Sequence, residues 1–287
     1  MEKLFDKSYG ITSDSPADVS TLEITMKIGC PIQCKYCPQN LLIREYNKIS
    51  KKIEMSFNTF KTCIDKLPLT TIVCFAGFSE PFYTKEAVTM MKYAAKEREV
   101  SLFTTLVGLD EKQIDEVLGI PFRKVVIHLP DKYNFSKIDI TPQYIMKLKA
   151  FVNAVKSNGA PFVDKMTCQA PPNEEVLGII KGGFHVSWNM NNRAGNLPYP
   201  GKDSYLRGKL KCRLSNFNHN ILLPDGTVVL CSMDFGLKHI LGNLYYETYE
   251  QVINSLERRT LLKKCMSLDN DLLCRRCSEA RKWCEEK

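Results

Sequence analysis

Gly29-Cys30-Pro31-Ile32-Gln33-Cys34-Lys35-Tyr36-Cys37-Pro38 is the stretch on which the reading of this chain turns. Its cysteines are spaced C-x3-C-x2-C. A cubane iron–sulfur cluster has about four irons, and each usually takes one Cys thiolate. Three close thiolates therefore hold three irons and leave the fourth open to another ligand. That suits chemistry better than electron storage alone. A zinc site is the competing use of such thiols. Zinc usually takes four ligands, in paired C-x2-C or Cys/His sets, and no nearby His supplies a fourth here.

The triplet follows directly on a strand-like segment. Residues 21–27 alternate apolar and polar side chains, the period of a strand. Further strands are expected at 71–76, 100–106, 124–129, 162–168 and 184–189, separated by helical segments at 55–67, 85–98, 110–118, 141–157 and 173–180. Ser56 is a candidate helix cap, and Asn158-Gly159 closes the helix that Thr141-Pro142 opens. Six such βα units imply a parallel sheet with helices packed outside it. A partial barrel and an open doubly wound sheet fit this order equally well. In both, active sites gather at the C-terminal ends of the strands, which puts Cys30, Cys34 and Cys37 on the functional rim.

Past Asn196 the texture changes. Leu197-Pro198-Tyr199-Pro200-Gly201 reads as a linker. A hairpin is expected from 221–223, Pro224-Asp225-Gly226 and 228–230, then one helix over 248–258 and a basic, cysteine-rich tail. The expected division is an extension over 1–19, a barrel over 20–196 and a small α+β module over 197–287.

Composition narrows the function classes. The chain has 287 residues, 44% hydrophobic and 25% charged, as in ordinary globular proteins. No apolar run is long enough to span a membrane, and residues 1–20 lack the layout of a signal peptide. A cytoplasmic address is expected. In that compartment twelve cysteines point to cluster or metal ligation rather than to disulfides. The net charge of +8 is dispersed. Lys48, Lys51 and Lys52 read as a solvated loop face, so nucleic-acid binding is not expected.

The triplet, with Tyr36 just before its last Cys, resembles the signature of radical S-adenosylmethionine (SAM) enzymes. The resemblance implies a partial (β/α)6 barrel and a [4Fe–4S] cluster on Cys30, Cys34 and Cys37 whose open iron binds SAM. It also implies SAM cleavage to a 5′-deoxyadenosyl radical that takes a hydrogen atom from the substrate. A flavodoxin- or ferredoxin-type electron donor is then an implied partner. Gly77-Phe78-Ser79-Glu80-Pro81 resembles the family's "GGEP" segment, with Phe78 and Ser79 departing from its glycines. The resemblance assigns Tyr36, Gly77, Ser79, Glu80, Thr104, Thr105, Asn192 and Arg193 to SAM or to the rim around it.

Cys212, Cys231, Cys274 and Cys277 form a second constellation. Their order around the Gly226 turn resembles the "twitch" module, the shortened SPASM extension of these enzymes. It implies one auxiliary [4Fe–4S] cluster on those four thiolates. A structural zinc ribbon is the competing reading, and Cys265 and Cys284 are spare thiols beside the set. Cys63 and Cys74 read as core residues. Cys168, ending the fifth strand, is a candidate hydrogen-atom donor. His128, Asp131 and Asp234 are candidates for substrate contact, with Trp188 a further one, and His185 reads as structural.

Three functions compete. One is oxidation or epimerisation of a small polar substrate, such as a sugar or aminocyclitol. The second is modification of a ribosomally made peptide or protein side chain. About twenty residues precede the first strand, which is short for a peptide-recognition domain and favours the small molecule. The third is non-catalytic, an electron carrier or a zinc-stabilised nucleic-acid-binding protein.

Overall fold

The computed structural model describes residues 21–158, 163–168, 170–180, 186–188, 191–197, 205–212 and 219–283, without the side chains of 155–158, 163–168 and 186–188. The expectations for the extension before residue 20, residues 198–201 of the linker, His185, Cys284 and the side chains of Cys168 and Trp188 lie outside the described residues.

Six strands lie side by side in chain order: β1 (Thr21–Ile24), β2 (Ile72–Phe75), β3 (Val100–Thr104), β4 (Phe122–His128), β5 (Val163–Cys168) and β6 (Val186–Trp188). Every neighbouring pair is parallel. The helices between them are α1 (Gln39–Ile49), α2 (Phe57–Ile64), α3 (Ala87–Ala94), α4 (Ile114–Leu118), α5 (Pro142–Asn158) and α6 (Glu174–Ile180). A doubly wound sheet reverses its strand order at a switch point. This one never does, so with crossovers of one hand all its helices fall on one side. The two architectures left open by the sequence resolve to the partial barrel.

The alternation in β1 explains the layering. Leu22, Ile24 and Met26 are buried against the helices, whereas Glu23 faces the hollow of the barrel. Ser56 caps α2 as its position predicts, its side chain accepting from the Thr59 N–H. The helix α1 was not expected. Pro38 gives its start no side-chain cap, and its buried face is carried by Gln39, Leu42 and Tyr46, a stripe too polar to stand out.

The C-terminal segment joins the barrel's own sheet. The hairpin β8 (His219–Leu222) and β9 (Thr227–Val229) continues into β10 (Ile240–Asn243), and β8 pairs parallel with β1. It covers a strand edge that would otherwise be open. At its turn Gly226 has φ +94°, and a Cβ there would lie 2.6 Å from the Tyr245 Cβ. The ammonium of Lys66 fastens the segment to the barrel, donating to the carbonyls of Leu244, Tyr245 and Glu247. A separate two-stranded ribbon pairs β7 (Leu210–Cys212) with β11 (Ala280–Lys282), antiparallel. The helix expected over 248–258 is two helices, α7 (Tyr249–Ile253) and α8 (Leu256–Cys265). Ser255 breaks the run, because its side chain caps α8 by accepting from Arg258 N–H.

Candidate functional site

At the C-terminal rim of the strands a cavity of about 260 Å³ is bordered by Cys30, Cys34 and Cys37. Glu23, Tyr36, Gly77, Ser79, Glu80, Thr104, Thr105, His128 and Arg193 line it too, with Ser232 and Phe235 contributed by the C-terminal segment.

The triplet loop is braced from two sides. Gln39 is buried and bridges two loops: its Nε2 donates to Phe78 O at 2.6 Å and its Oε1 accepts from Cys30 N at 3.3 Å. On the other side Lys35 N donates to Phe135 O and the Cys34 thiol donates to Ser136 O at 3.0 Å. Asp131 holds that second brace in shape. Its carboxylate accepts from the N–H groups of Tyr133, Phe135 and Ser136. Burial pushes its pKa up, but those N–H bonds outweigh it and hold the group below the usual carboxylate range. Asp131 thus supports the loop that carries Cys34 and does not line the cavity.

The three thiols differ in acidity. Burial pushes Cys30 up. Cys37 falls to about 6, first through its contact with the Cys34 side chain, then, against its own burial, through the charge and hydrogen bond of Arg193. Cys34 is raised correspondingly, chiefly by the same contact with Cys37. Thiolate is the ligating form, and Arg193 is the cation that stabilises it. That guanidinium also donates to Tyr36 O at 3.3 Å and stands 5.6 Å from the Phe235 ring centroid.

Gly77 admits no other residue. Its φ is +66°, and a Cβ would lie 2.1 Å from Thr25 Oγ1. The same hydroxyl accepts from Phe78 N at 2.9 Å. Phe78, which replaces a family glycine, has a packing reason: its ring lies 4.6 Å from that of Phe235 and ties the rim to the C-terminal segment. Ser79 Oγ is buried and has no hydrogen-bond partner among the described residues. An orphaned polar atom on a cavity wall fits a polar ligand.

Glu80 is already satisfied. Its oxygens accept from Thr104 Oγ1 at 2.6 Å, Thr105 N at 2.6 Å and Thr105 Oγ1 at 2.7 Å. Burial raises its pKa against those bonds. These three residues brace one another across the rims of β2 and β3. His128, ending β4, falls to about 4, because burial disfavours the imidazolium and Arg193 adds like charge. It faces the cavity as a neutral ring.

Two more expected site residues stand elsewhere. Asn192 donates to Arg276 O at 2.6 Å and accepts from Ser278 N at 2.9 Å. It pins the rim after β6 to the tail that carries Cys277. Asp234 accepts from Lys238 N and His239 N, and it holds the turn after Cys231. Cys168 ends β5 one residue past Thr167, the register partner of His128. Glu23 was missed. Its signal was the strand alternation itself, which sets an acid between two outward-facing apolar residues. Its pKa rises to about 7, chiefly through burial, against a hydrogen bond from the Gly77 backbone and the charge of Arg193.

The second cysteine set also converges. Cys212, Cys231, Cys274 and Cys277 border a cavity of about 20 Å³ with Leu230, Met233, Leu273, Glu279 and Ala280. Burial pushes Cys231 and Cys274 well up, and Cys277 to about 11. Cys265 is buried beside Cys274 but does not line that cavity. Between Cys274 and Cys277 sits Arg275, fully buried. Its guanidinium donates to the carbonyls of Leu206, Gly208, Lys264 and Ser267 and to Asn270 Oδ1. Among the described residues no three His, Cys, Asp or Glu converge closely enough to hold a single metal ion. Each thiol set borders a cavity, and in a multinuclear cluster each thiolate takes a different iron, so the thiols need not meet at one point. No helix among the described residues is long and apolar enough to cross a membrane.

Residues 212–278 match the SPASM family, an iron–sulfur cluster-binding domain, a match that starts at Cys212 and closes just past Cys277. No curated protein matches the chain. Among solved structures, the chain is similar to BtrN in complex with AdoMet and 2-DOIA, at 16% identity and TM-score 0.56, covering 90% of this chain and 92% of that one. It is similar to anSMEcpe with bound AdoMet and the Kp18Cys peptide, at 12% identity and TM-score 0.54, covering 90% and 86%. It is also similar to Streptococcus suis SuiB bound to precursor peptide SuiA, at 11% identity and TM-score 0.58, covering 94% and 71%. The chain has the fold of these radical SAM enzymes, a partial barrel followed by a SPASM-type segment.

Proposed function

We propose that this chain is a radical SAM enzyme of oxidoreductase or isomerase type that acts on a small polar molecule such as a sugar or aminocyclitol. The observation that carries the reading is the convergence of Cys30, Cys34 and Cys37 with Gly77, the unpartnered Ser79 hydroxyl and Arg193 around one cavity at the barrel rim. The structures of BtrN and anSMEcpe hold AdoMet in the same fold, which supports SAM as the ligand here. Bound to the three cysteines, a [4Fe–4S] cluster supplies the electron that cleaves SAM and so begins hydrogen-atom abstraction.

The chain's own residues divide the remaining work. Cys30, Cys34 and Cys37 ligate, with Arg193 favouring the thiolate of Cys37. The Gly77–Ser79 backbone and the Ser79 hydroxyl receive the polar end of SAM, and Tyr36 and the Glu80–Thr104–Thr105 brace shape that wall. His128, neutral at physiological pH, offers a hydrogen bond without adding charge. Cys168, at the end of the neighbouring strand, is the thiol assigned to return a hydrogen atom where the outcome is epimerisation. Cys212, Cys231, Cys274 and Cys277 hold one auxiliary [4Fe–4S] cluster, closed by four soft thiolates and suited to electron transfer. Residues 20–196 form the catalytic barrel and 197–287 the auxiliary module, in a cytoplasmic enzyme served by a flavodoxin- or ferredoxin-type donor. Ser232 and Phe235 of the C-terminal segment also line the cavity, so a substrate bound there meets both parts of the chain.

The test is iron and sulfide analysis after anaerobic purification. Two cubanes predict roughly eight irons per chain, and Ala at Cys30, Cys34 and Cys37 should leave about half. A chain that holds zinc, or that makes no 5′-deoxyadenosine from SAM under reducing conditions, refutes the reading.

A further inference from the structure

The hollow of the barrel contains a carboxyl group that the SAM reading leaves unused. Glu23 lies in the middle of β1, and its side chain lines the main cavity. In register with it stand Cys74 on β2 and Ile221 on β8. The Gly77 backbone hydrogen-bonds to it, and the one cation acting on it among the described residues is Arg193. That guanidinium is already turned to Cys37 and to the Tyr36 carbonyl. Lys124 on β4 acts on Cys74, one strand further round the hollow, and His128 faces the cavity as a neutral ring. A carboxylate drawn back from water needs a cation or several donors, and among the described residues this half-buried one has the charge of Arg193 and the Gly77 backbone.

We propose that Glu23 is the substrate anchor, and that it binds a protonated amine on the substrate within the cavity that the three-cysteine loop borders. This rests on the small-molecule reading above and narrows it to an amine-bearing class. An ammonium there forms an ion pair with the Glu23 carboxylate. A substrate hydroxyl would make only a neutral hydrogen bond to protonated Glu23, weaker than the charge-assisted pair. The anchor would also fix orientation, since a ring held at its nitrogen presents a defined carbon to the rim. Glu23 is placed here as a specificity-determining residue. The bond is an ion pair, with no covalent step.

The experiment is titration calorimetry on the full chain with clusters reconstituted and SAM bound, at pH 6.5, in two buffers of different ionisation enthalpy. The probes are scyllo-inosamine and its polyol counterpart scyllo-inositol. At that pH Glu23, with a pKa of about 7, is mostly protonated, so pairing with an ammonium releases roughly three-quarters of a proton. The amine is expected to bind with that release, and the polyol at least about tenfold more weakly without it. Glu23→Gln should weaken the amine about tenfold and abolish the release, while keeping its iron and its SAM binding. Equal binding of the two probes, no binding of the amine, or an unchanged release in Glu23→Gln overturns the proposal. Proton release on addition of SAM alone also overturns it, since the carboxyl then belongs to SAM. The wild-type release needs no variant, so a misfolded Glu23→Gln does not decide the matter. Formation of 5′-deoxyadenosine, measured in parallel, separates failure of this anchor from failure of the enzyme reading.

Discussion

Replacing Arg275 with Met asks whether one buried guanidinium holds the C-terminal cysteine seat together. The side chain is 0% exposed and lies inside the Cys274–Cys277 pair. Its bonds measure 2.7 Å to Leu206 O, 2.8 Å to Gly208 O, 3.1 Å to Lys264 O, 2.7 Å to Ser267 O and 3.2 Å to Asn270 Oδ1. They gather the strand leading to Cys212, the end of α8 and the loop before Cys274. Methionine fills much of the volume and removes every donor. Each buried acceptor left unsatisfied costs about 1–3 kcal/mol. The losses are not additive, because the loops relax together. A realistic total is about 3–5 kcal/mol, a large part of the roughly 5–15 kcal/mol that holds a typical domain. The expected result is loss of the second cysteine seat while the barrel stays folded. Iron should fall from roughly eight per chain to about four, and the melting temperature by on the order of 10 °C. Arg275→Lys should fall between, since an ammonium has three donors for five acceptors and no planar fork. Full iron content and an unchanged melting curve in Arg275→Met would refute this account of the module.

Two further perturbations follow from the rim. Gly77→Ala should cost about 2–4 kcal/mol, from the positive φ and a Cβ driven into Thr25, and should weaken SAM binding in equilibrium dialysis; an unshifted denaturant midpoint would count against the close approach. The ligand-free protein should lose stability as pH rises from about 4.5 to about 7. In that window the folded chain keeps a proton on Glu23 that the unfolded chain releases, and the contribution is fully present below the unfolded value. Glu23→Gln should flatten this part of a stability-against-pH curve, and an identical slope in the variant would contradict it.

Much of the site was legible in one dimension because its chemistry is local. The C-x3-C-x2-C loop follows a strand within a few residues, and the strands preceding it and the Gly77 segment carry the periodicity of buried β-structure. The order of the six βα units could be read directly, although short strands and irregular caps blurred their ends by a few residues. The helix after Pro38 escaped because its stripe is polar and its cap is absent. The break at Ser255 escaped because a serine mid-helix and a serine cap look alike until the chain turns.

The residue roles divided along the same line. Asp131 and Asp234 were singled out as acids near strand ends or cysteines, yet both are occupied by backbone N–H groups of their own loops. Asn192 reads in the sequence as a rim contact, yet it fastens the segment after β6 to the tail. Glu80, Thr104 and Thr105 form one hydrogen-bonded unit, which no reading of either segment alone could reveal. Cys30, Cys34 and Cys37 were determined by the sequence, since a cluster's ligands must be the right atoms in a short loop. Only the tertiary structure decided that the sheet never reverses, that Cys212 and Cys231 meet Cys274 and Cys277, and that Glu23 faces the hollow beside Arg193. Those facts depend on which strands pair and which faces they turn inward, and a chain fixes that only when its apolar faces close on one another.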